Sequence, residues 1–381
     1  MINSIFSKQH KLIISAINEL CSKEIAPEAG DIDQNGTFPW RNFTKLAEQG
    51  FAGMNVPEEL NGGQMDPLSF VLAIEEIAKA CASTALITVS HHFVTQGIWV
   101  AGDSQQKTKY LPKLAKGELL GAFAVHEPGA GCVAPAIETQ AMKKDNGFVL
   151  SGSKFFTTSA GEASIYLVMA VTDKSKGPAG LSMFLIDKDT KGLSFGKVYN
   201  RLGFKGTSGR DTYLDECFVP MENLLGVEGE GLKYLGAIVG KYIFLGAGAI
   251  SLGIAEAALR DSIQHVKTRT IAGKTLSEHQ AVAFTISEMS QLVNSAKSLL
   301  YAAAMGGGNP VEPSPLWTMQ AKIYASEIAV KVTNMAIQLH GGHGYCSDLP
   351  IERYLRDARG LTMHIGTSEL LKINVANALI K

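Results

Sequence analysis

Residues 141–158 read Ala141-Met-Lys-Lys-Asp-Asn-Gly-Phe-Val-Leu-Ser-Gly-Ser-Lys-Phe-Phe-Thr-Thr158. Asp145, Asn146 and Gly147 make a turn signal, because these residue types reach the left-handed backbone a tight hairpin requires. The flanking runs are short and rich in β-forming residues, so the stretch predicts two antiparallel strands meeting at the turn. Similar runs fall at residues 121–125, 137–143, 147–158, 164–172, 180–187, 193–198 and 212–219, with Gly177-Pro178 marking another loop. No helical pattern separates them. Such spacing predicts a small antiparallel barrel or sandwich.

On both sides of this zone the apolar period changes to that of helices. Upstream, Asp66 caps a helix with Pro67 in its first turn and Val71, Leu72, Ile74, Ile77 and Ala78 on its apolar positions. A helix before it closes at Gly50, and two more run over about 82–101 and 104–117. Downstream, long helical segments cover about 231–269, 277–305, 315–341 and 368–381, joined by short connections such as the loop 305–315. Four such helices predict an up-down bundle. The chain is therefore α+β: an N-terminal helical domain (1–120), a middle antiparallel β-barrel or sandwich (121–228) and a C-terminal four-helix bundle (229–381).

A chain of 381 residues with 46% hydrophobic residues has ample core for two or three domains. The formal net charge of −1 speaks against a nucleic-acid partner, and the C-terminal tail adds only Lys372 and Lys381. Cys21, Cys81, Cys132, Cys217 and Cys346 are odd in number and widely spaced. That pattern suits neither a disulfide framework nor a metal ribbon, and it points to reduced thiols in a cytoplasm. The first twenty residues show broken helical spacing rather than a signal peptide. Lys241 splits the most apolar segment, which reads as a buried bundle helix, not a membrane span.

Five local motifs, in order along the chain, carry a family resemblance. They are Ala101-Gly-Asp-Ser-Gln-Gln-Lys-Thr-Lys-Tyr110, His126-Glu-Pro-Gly-Ala-Gly131, Gly152-Ser-Lys-Phe-Phe-Thr-Thr158, Gln338-Leu-His-Gly-Gly-His-Gly-Tyr345 and Arg356-Asp-Ala358. Together they resemble the acyl-CoA dehydrogenase superfamily over essentially the whole chain. The resemblance implies FAD as cofactor, an acyl-CoA or other acyl thioester as substrate, a homotetramer, and electron transfer flavoprotein as a partner. It implies that Thr158 contacts flavin N5 and that Phe156 lies against the ring, with Phe123, Val125 and His126 on another edge. It places Arg269, Gln280, Gln338, Gly341 and Gly342 on the cofactor's pyrophosphate and adenosine across a subunit interface, and Thr367 and Glu369 beside it. Glycines suit such a site because they let backbone N–H groups approach a ligand closely.

The resemblance also exposes departures. Relatives abstract the α-proton with a glutamate in an E-G-T motif, whereas this chain reads Met363-His364-Ile365-Gly366-Thr367, so Ile365 takes the glutamate's place. The alternative base position on the first bundle helix falls near Ile243 and also lacks an acid. Cys132 and Val133 replace the family's Ser-Asp. Cys132, Ile243, Phe244 and Ile365 are the candidate substrate-binding residues. Histidines replace other polar residues at His91, His92 and His126, and His364 directly precedes the empty base position; these four are the candidate catalytic groups, since imidazole both donates and accepts protons near neutrality. Three variants of an acyl-thioester oxidoreductase follow: dehydrogenation with a histidine base, base-free loss of carboxylate or sulfinate, and enoyl reduction. A catalytically silent flavin-binding relative, a flavin monooxygenase and an enzyme acting on acyl carrier protein stand as alternatives. No metal site is expected.

Overall fold

The computed structural model describes residues 6–306 and 314–380, so most of the loop 305–315 lies outside the described residues. The N-terminal part is helical: α1 (Lys8–Leu20), α2 (Ala29–Asn35), α3 (Trp40–Glu48), α4 (Pro67–Ala80), α5 (Ala82–Ala101) and α6 (Ser104–Ala115). Capping sets the boundaries. The Asp66 carboxylate accepts from Ser69 N at 2.9 Å with Pro67 at the first turn, and Asp103 and Gln106 cap α6 reciprocally. Helix α5 is buried on all sides for nearly its whole length, its polar residues included, which makes it the axis of this part of the molecule.

Eight strands follow: β1 (Gly121–Ala124), β2 (Gln140–Lys144), β3 (Gly147–Thr157), β4 (Ile165–Val171), β5 (Leu181–Asp187), β6 (Leu193–Phe195), β7 (Arg210–Pro220) and β8 (Leu224–Leu225). They form one sheet of order β6-β7-β3-β2-β4-β5-β8, with β1 also paired to β4. Pairing is antiparallel except at β1–β4 and β2–β4. The hairpin turn behaves as its residues dictate: Lys144 pairs with Gly147, and Asp145 takes φ of 50°. Strand β4 is apolar throughout because both its faces are covered. Ile165, Leu167 and Met169 join the large core shared with the helices, while Tyr166, Val168 and Ala170 fill a second core on the other face.

The C-terminal part opens with α7 (Gly231–Ile238), which passes through a π-turn at Val239–Ile243 into α8 (Phe244–Thr268). The short strands β9 (Thr270–Ile271) and β10 (Lys274–Thr275) form a hairpin, after which come α9 (Gln280–Ala304), α10 (Pro315–His340), α11 (Gly342–Tyr345), α12 (Ile351–Leu361) and α13 (Ser368–Ile380). The span Gly231–Thr268 has the length and hydropathy of a membrane helix, yet 83% of its most apolar window is buried inside the protein. Its apolar surface goes into the bundle core. A buried charge network ties this bundle to the N-terminal helices. Glu75 of α4 accepts from Tyr301 Oη at 2.7 Å and pairs with Lys79 and Lys297, and Glu256 of α8 pairs with the same two lysines. Burial raises the Glu75 carboxyl, with Glu256 close by.

Candidate active site

A cavity of ≈ 400 Å³ opens where the sheet, α5, the π-turn and the loop between α12 and α13 meet. Helix α5 contributes Leu86, Val89, Ser90 and Phe93, one face of the helix at i, i+3, i+4 and i+7. The end of β1 and the segment after it bring Phe123, Val125, His126 and Cys132, and the end of β3 brings Phe156 and Thr158. The π-turn pushes Val239, Gly240 and Ile243 to the wall beside Phe244, and such one-turn bulges recur at functional sites. His364, Ile365 and Gly366 complete the enclosure. The lining holds no aspartate, glutamate, lysine or arginine among the described residues.

The structure thus brings together ten of the sequence-derived candidates: Phe123, Val125, His126, Cys132, Phe156, Thr158, Ile243, Phe244, His364 and Ile365. His91 and His92 are a correction. They sit on α5, but the cavity takes the 86/89/90/93 face, and the helical phase turns residues 91 and 92 elsewhere. His91 Nε2 lies 3.2 Å from the Ala52 carbonyl, and its Nδ1 accepts from Gly121 N at 3.2 Å. These two bonds fix one neutral tautomer. His92 Nε2 donates to the Phe51 carbonyl at 3.1 Å. Burial, with His92 beside it, pushes the His91 imidazole down to about 3, and burial pushes His92 down to about 4. They tie α5 to the 51–53 turn and, through His91, to β1.

His126 and His364 do face the cavity. Burial, then the Lys154 ammonium, lowers His126; burial, then His126, Arg201 and Lys322, lowers His364. Both imidazoles are therefore neutral at physiological pH, weak as bases but competent as hydrogen-bond donors or acceptors. Ile365 is strained: a β-branched residue at φ of 57°, in the left-handed region that such residues avoid.

Five other candidates are exposed and none lines the cavity: Arg269, Gln280, Gln338, Gly341 and Gly342. The ends of α8 and α10 do converge, since the His265 and His340 rings stack at 4.2 Å, so Arg269 and the 338–342 turn share one end of the bundle. Thr367 caps α13, its hydroxyl accepting from Leu370 N at 3.2 Å, and Glu369 is exposed; neither reaches the cavity lining.

Sequence reading missed the groups behind the wall. Lys154, fully buried on β3, donates to the Glu127 carboxylate at 2.6 Å, and Glu127 also accepts from Glu138 N at 2.6 Å and Thr139 N at 3.0 Å. This pair fixes the turn that carries His126. Strand alternation does not single out Lys154, because β3 shifts register between Leu150 and Gly152 and again between Lys154 and Thr157. A second buried lysine, Lys322 of α10, donates to the Gly366 carbonyl at 2.7 Å.

Three family models match the chain in the same order as its three structural parts. They are the N-terminal domain (7–118), the middle domain (122–217) and the C-terminal domain (245–380) of acyl-CoA dehydrogenase. The chain belongs to the acyl-CoA dehydrogenase family. It is an oxidoreductase of the type that acts on CH–CH groups, and the family's proteins are flavoproteins. The short-chain specific acyl-CoA dehydrogenase of Clostridium acetobutylicum is 35% identical over 377 residues, covering 98% of this chain and 99% of that protein. The acryloyl-CoA reductase (NADH) of Anaerotignum propionicum is 36% identical over 380 residues, covering 98% and 95%. Among solved structures, butyryl-CoA dehydrogenase from Megasphaera elsdenii superposes with a TM-score of 0.95 at 33% identity, covering 99% of both chains.

Proposed function

We propose that this family member is an FAD-dependent acyl-thioester oxidoreductase that works without a carboxylate base. The observation that carries the reading is the cavity lining: it contains no carboxylate among the described residues, and Ile365 stands where the resemblance puts the glutamate. Isoleucine cannot accept a proton, and an imidazole whose pKa is lowered by burial is a poor acceptor for a weakly acidic α-proton. The chemistry open to such a cavity is the loss of carboxylate or sulfinate from the substrate itself, or the reduction of an α,β-double bond.

The residues fit a flavin. Beside the cavity, at the end of β3, Thr157 Oγ1 and Ser159 Oγ are buried without a hydrogen-bond partner. Phe156, half-exposed and at φ of 51°, stacks on Tyr199 at 4.5 Å and presents an aromatic edge. Thr158, Phe156, Phe123, Val125 and His126 would hold the ring, with Thr367 and Glu369 beside the rest of the cofactor. Arg269, Gln280, Gln338, Gly341 and Gly342 would serve a neighbouring subunit's cofactor in a homotetramer, which agrees with their exposure on the single chain. When bound, FAD supplies the hydride acceptor or donor. The chain's own part is different. Val89, Phe93, Ile243, Phe244 and Ile365 exclude water from the acyl group, and His126 and His364 hydrogen-bond to the anion that forms or enters. Cys132 lies on the same wall. Electron transfer flavoprotein is the proposed redox partner, and the five free thiols agree with a reducing, cytoplasmic setting.

The absence of lysine and arginine from the lining, among the described residues, favours one second reading, in which the thioester arrives on an acyl carrier protein rather than on the polyanionic CoA. An anaerobic visible spectrum tests both. Oxidised protein is titrated with simple saturated, dicarboxylic and carrier-bound acyl thioesters, and dithionite-reduced protein with enoyl thioesters. Bleaching by a dicarboxylic thioester, or reoxidation by an enoyl one, is the expected result. Rapid bleaching by a simple saturated thioester sinks the base-free reading. A preference for the carrier-bound form of the same acyl group decides the second.

A further inference from the structure

The loop between α12 and α13 carries the cavity residues His364, Ile365 and Gly366, and most of it is held by its own backbone. His364 N donates to the Gly360 carbonyl at 2.9 Å and Ser368 N to the Thr362 carbonyl at 2.9 Å. Between those anchors the chain makes its least favourable turn, with Ile365 at φ of 57° and Gly366 at φ of 84°. Glycine takes this region freely; a β-branched residue holds it only where the surroundings impose it. Packing against Phe244, Ile323 and Leu371 accounts for part of that constraint.

The remainder comes from Lys322. Its side chain is wholly buried on α10, one residue before Ile323, and its ammonium donates to the Gly366 carbonyl at 2.7 Å. Among the described residues no carboxylate lies within ion-pair reach of it. Glu327, one candidate, is bound to Lys372 at 2.6 Å instead. Burial without such a partner lowers the amine to about 8. A buried cation is costly, and one that spends its hydrogen bond on a single loop carbonyl points to what that carbonyl must hold.

We infer that Lys322 is the positioning residue of this cavity wall: by clamping the Gly366 carbonyl it keeps Ile365 left-handed, with His364 and Ile365 on the cavity. It takes from the proposed function only that thioesters enter this cavity, not the direction of the reaction. The prediction is one of coupling. If Lys322 acts by holding Ile365 in a disfavoured conformation, its removal matters little once residue 365 can adopt that conformation without cost.

The test is a double-mutant cycle on the flavin-loaded protein, with Lys322→Met, Ile365→Gly and both together. Affinity for S-butyl-CoA, a thioether that cannot react, is read from the flavin spectrum, and the thermal unfolding midpoint is read in parallel. Lys322→Met is expected to weaken binding at least fivefold in the parent and less than twofold beside Ile365→Gly. Lys322→Gln, whose amide still donates, is expected to recover most of the loss. Should Lys322→Met not fold in the parent, folding regained beside Ile365→Gly supports the clamp, and failure to fold in both backgrounds overturns it. Equal losses in both backgrounds overturn the inference and leave Lys322 a structural lysine. If S-butyl-CoA perturbs the flavin in no variant, the cavity does not take a short saturated chain on free CoA. The midpoints still decide on Lys322: a drop at least halved by Ile365→Gly supports the clamp, and an undiminished drop removes it.

Discussion

Two pairs of histidines meet opposite fates in this protein. His91 and His92 are neighbours in sequence, both fully buried and both spent on backbone carbonyls of the 51–53 turn. His126 and His364 come from the middle and C-terminal domains, yet they line one cavity. The difference is one of available partners. A histidine packed into a helix interface is stable only if its ring nitrogens find fixed acceptors and donors, which makes it part of the scaffold. A histidine on a cavity wall keeps a nitrogen free for whatever enters. All four are pushed toward the neutral form by burial, so a lowered pKa alone does not separate the two roles.

The largest effect is expected where the cavity pair meets its scaffold. Lys154→Met leaves the Glu127 carboxylate buried without its cation, beneath the turn that carries His126, and is expected to cost roughly 3–5 kcal/mol in urea unfolding. A loss under about 1 kcal/mol means that something other than this ion pair fixes the turn. Next comes His91→Leu, which orphans both Gly121 N–H and the Ala52 carbonyl; roughly 2–4 kcal/mol should be lost, and about half as much for His92→Leu. If these two variants unfold like the parent but lose thioester reactivity, the division between scaffold and cavity pairs is wrong.

Acid should act through the scaffold pair as well. Their folded-state pKa values, about 3 and about 4, lie below the unfolded value near 6.5. The unfolded chain therefore binds protons first. The stability tied to neutral His91 and His92 is complete above about pH 6.5 and lost as pH falls from there toward 3 to 4. A plot of unfolding free energy against pH should slope downward on acidification below 6, and His91→Gln with His92→Gln should flatten it. An unchanged slope assigns the acid sensitivity to other groups. The smallest stability effect belongs to the cavity pair. His126→Gln and His364→Gln should leave unfolding within about 1 kcal/mol. They should slow the flavin's reaction with a productive thioester at least tenfold, about 1.4 kcal/mol in the barrier. Rates within twofold of the parent in both variants remove the imidazoles from the chemistry.

Much of the fold was legible because its signals are local. The turn at 145–147, the Asp66 cap with Pro67, and the apolar runs of β4 and β5 act over a few residues, and the structure keeps each of them. Long apolar helices likewise announced a bundle, though not the π-turn that interrupts one of them at the cavity wall. The site was legible in parts. Motif resemblance led to His126, Phe156, Thr158 and Ile365, all of which reach the cavity. It misplaced His91 and His92, because membership of a pocket helix does not say which 100° sector faces the pocket.

By itself, then, the sequence determined the α-β-α order and the approximate placement of the long helices and of most strands. Those depend on residue type, spacing and caps within a turn or two of chain. Only the tertiary structure decided which histidines see the cavity, that Lys154 and Lys322 stand buried behind its wall, and that Ile365 is held left-handed. Each of those depends on carbonyls, carboxylates and packing surfaces brought in from distant segments, and no local period encodes the partner that a buried group will find.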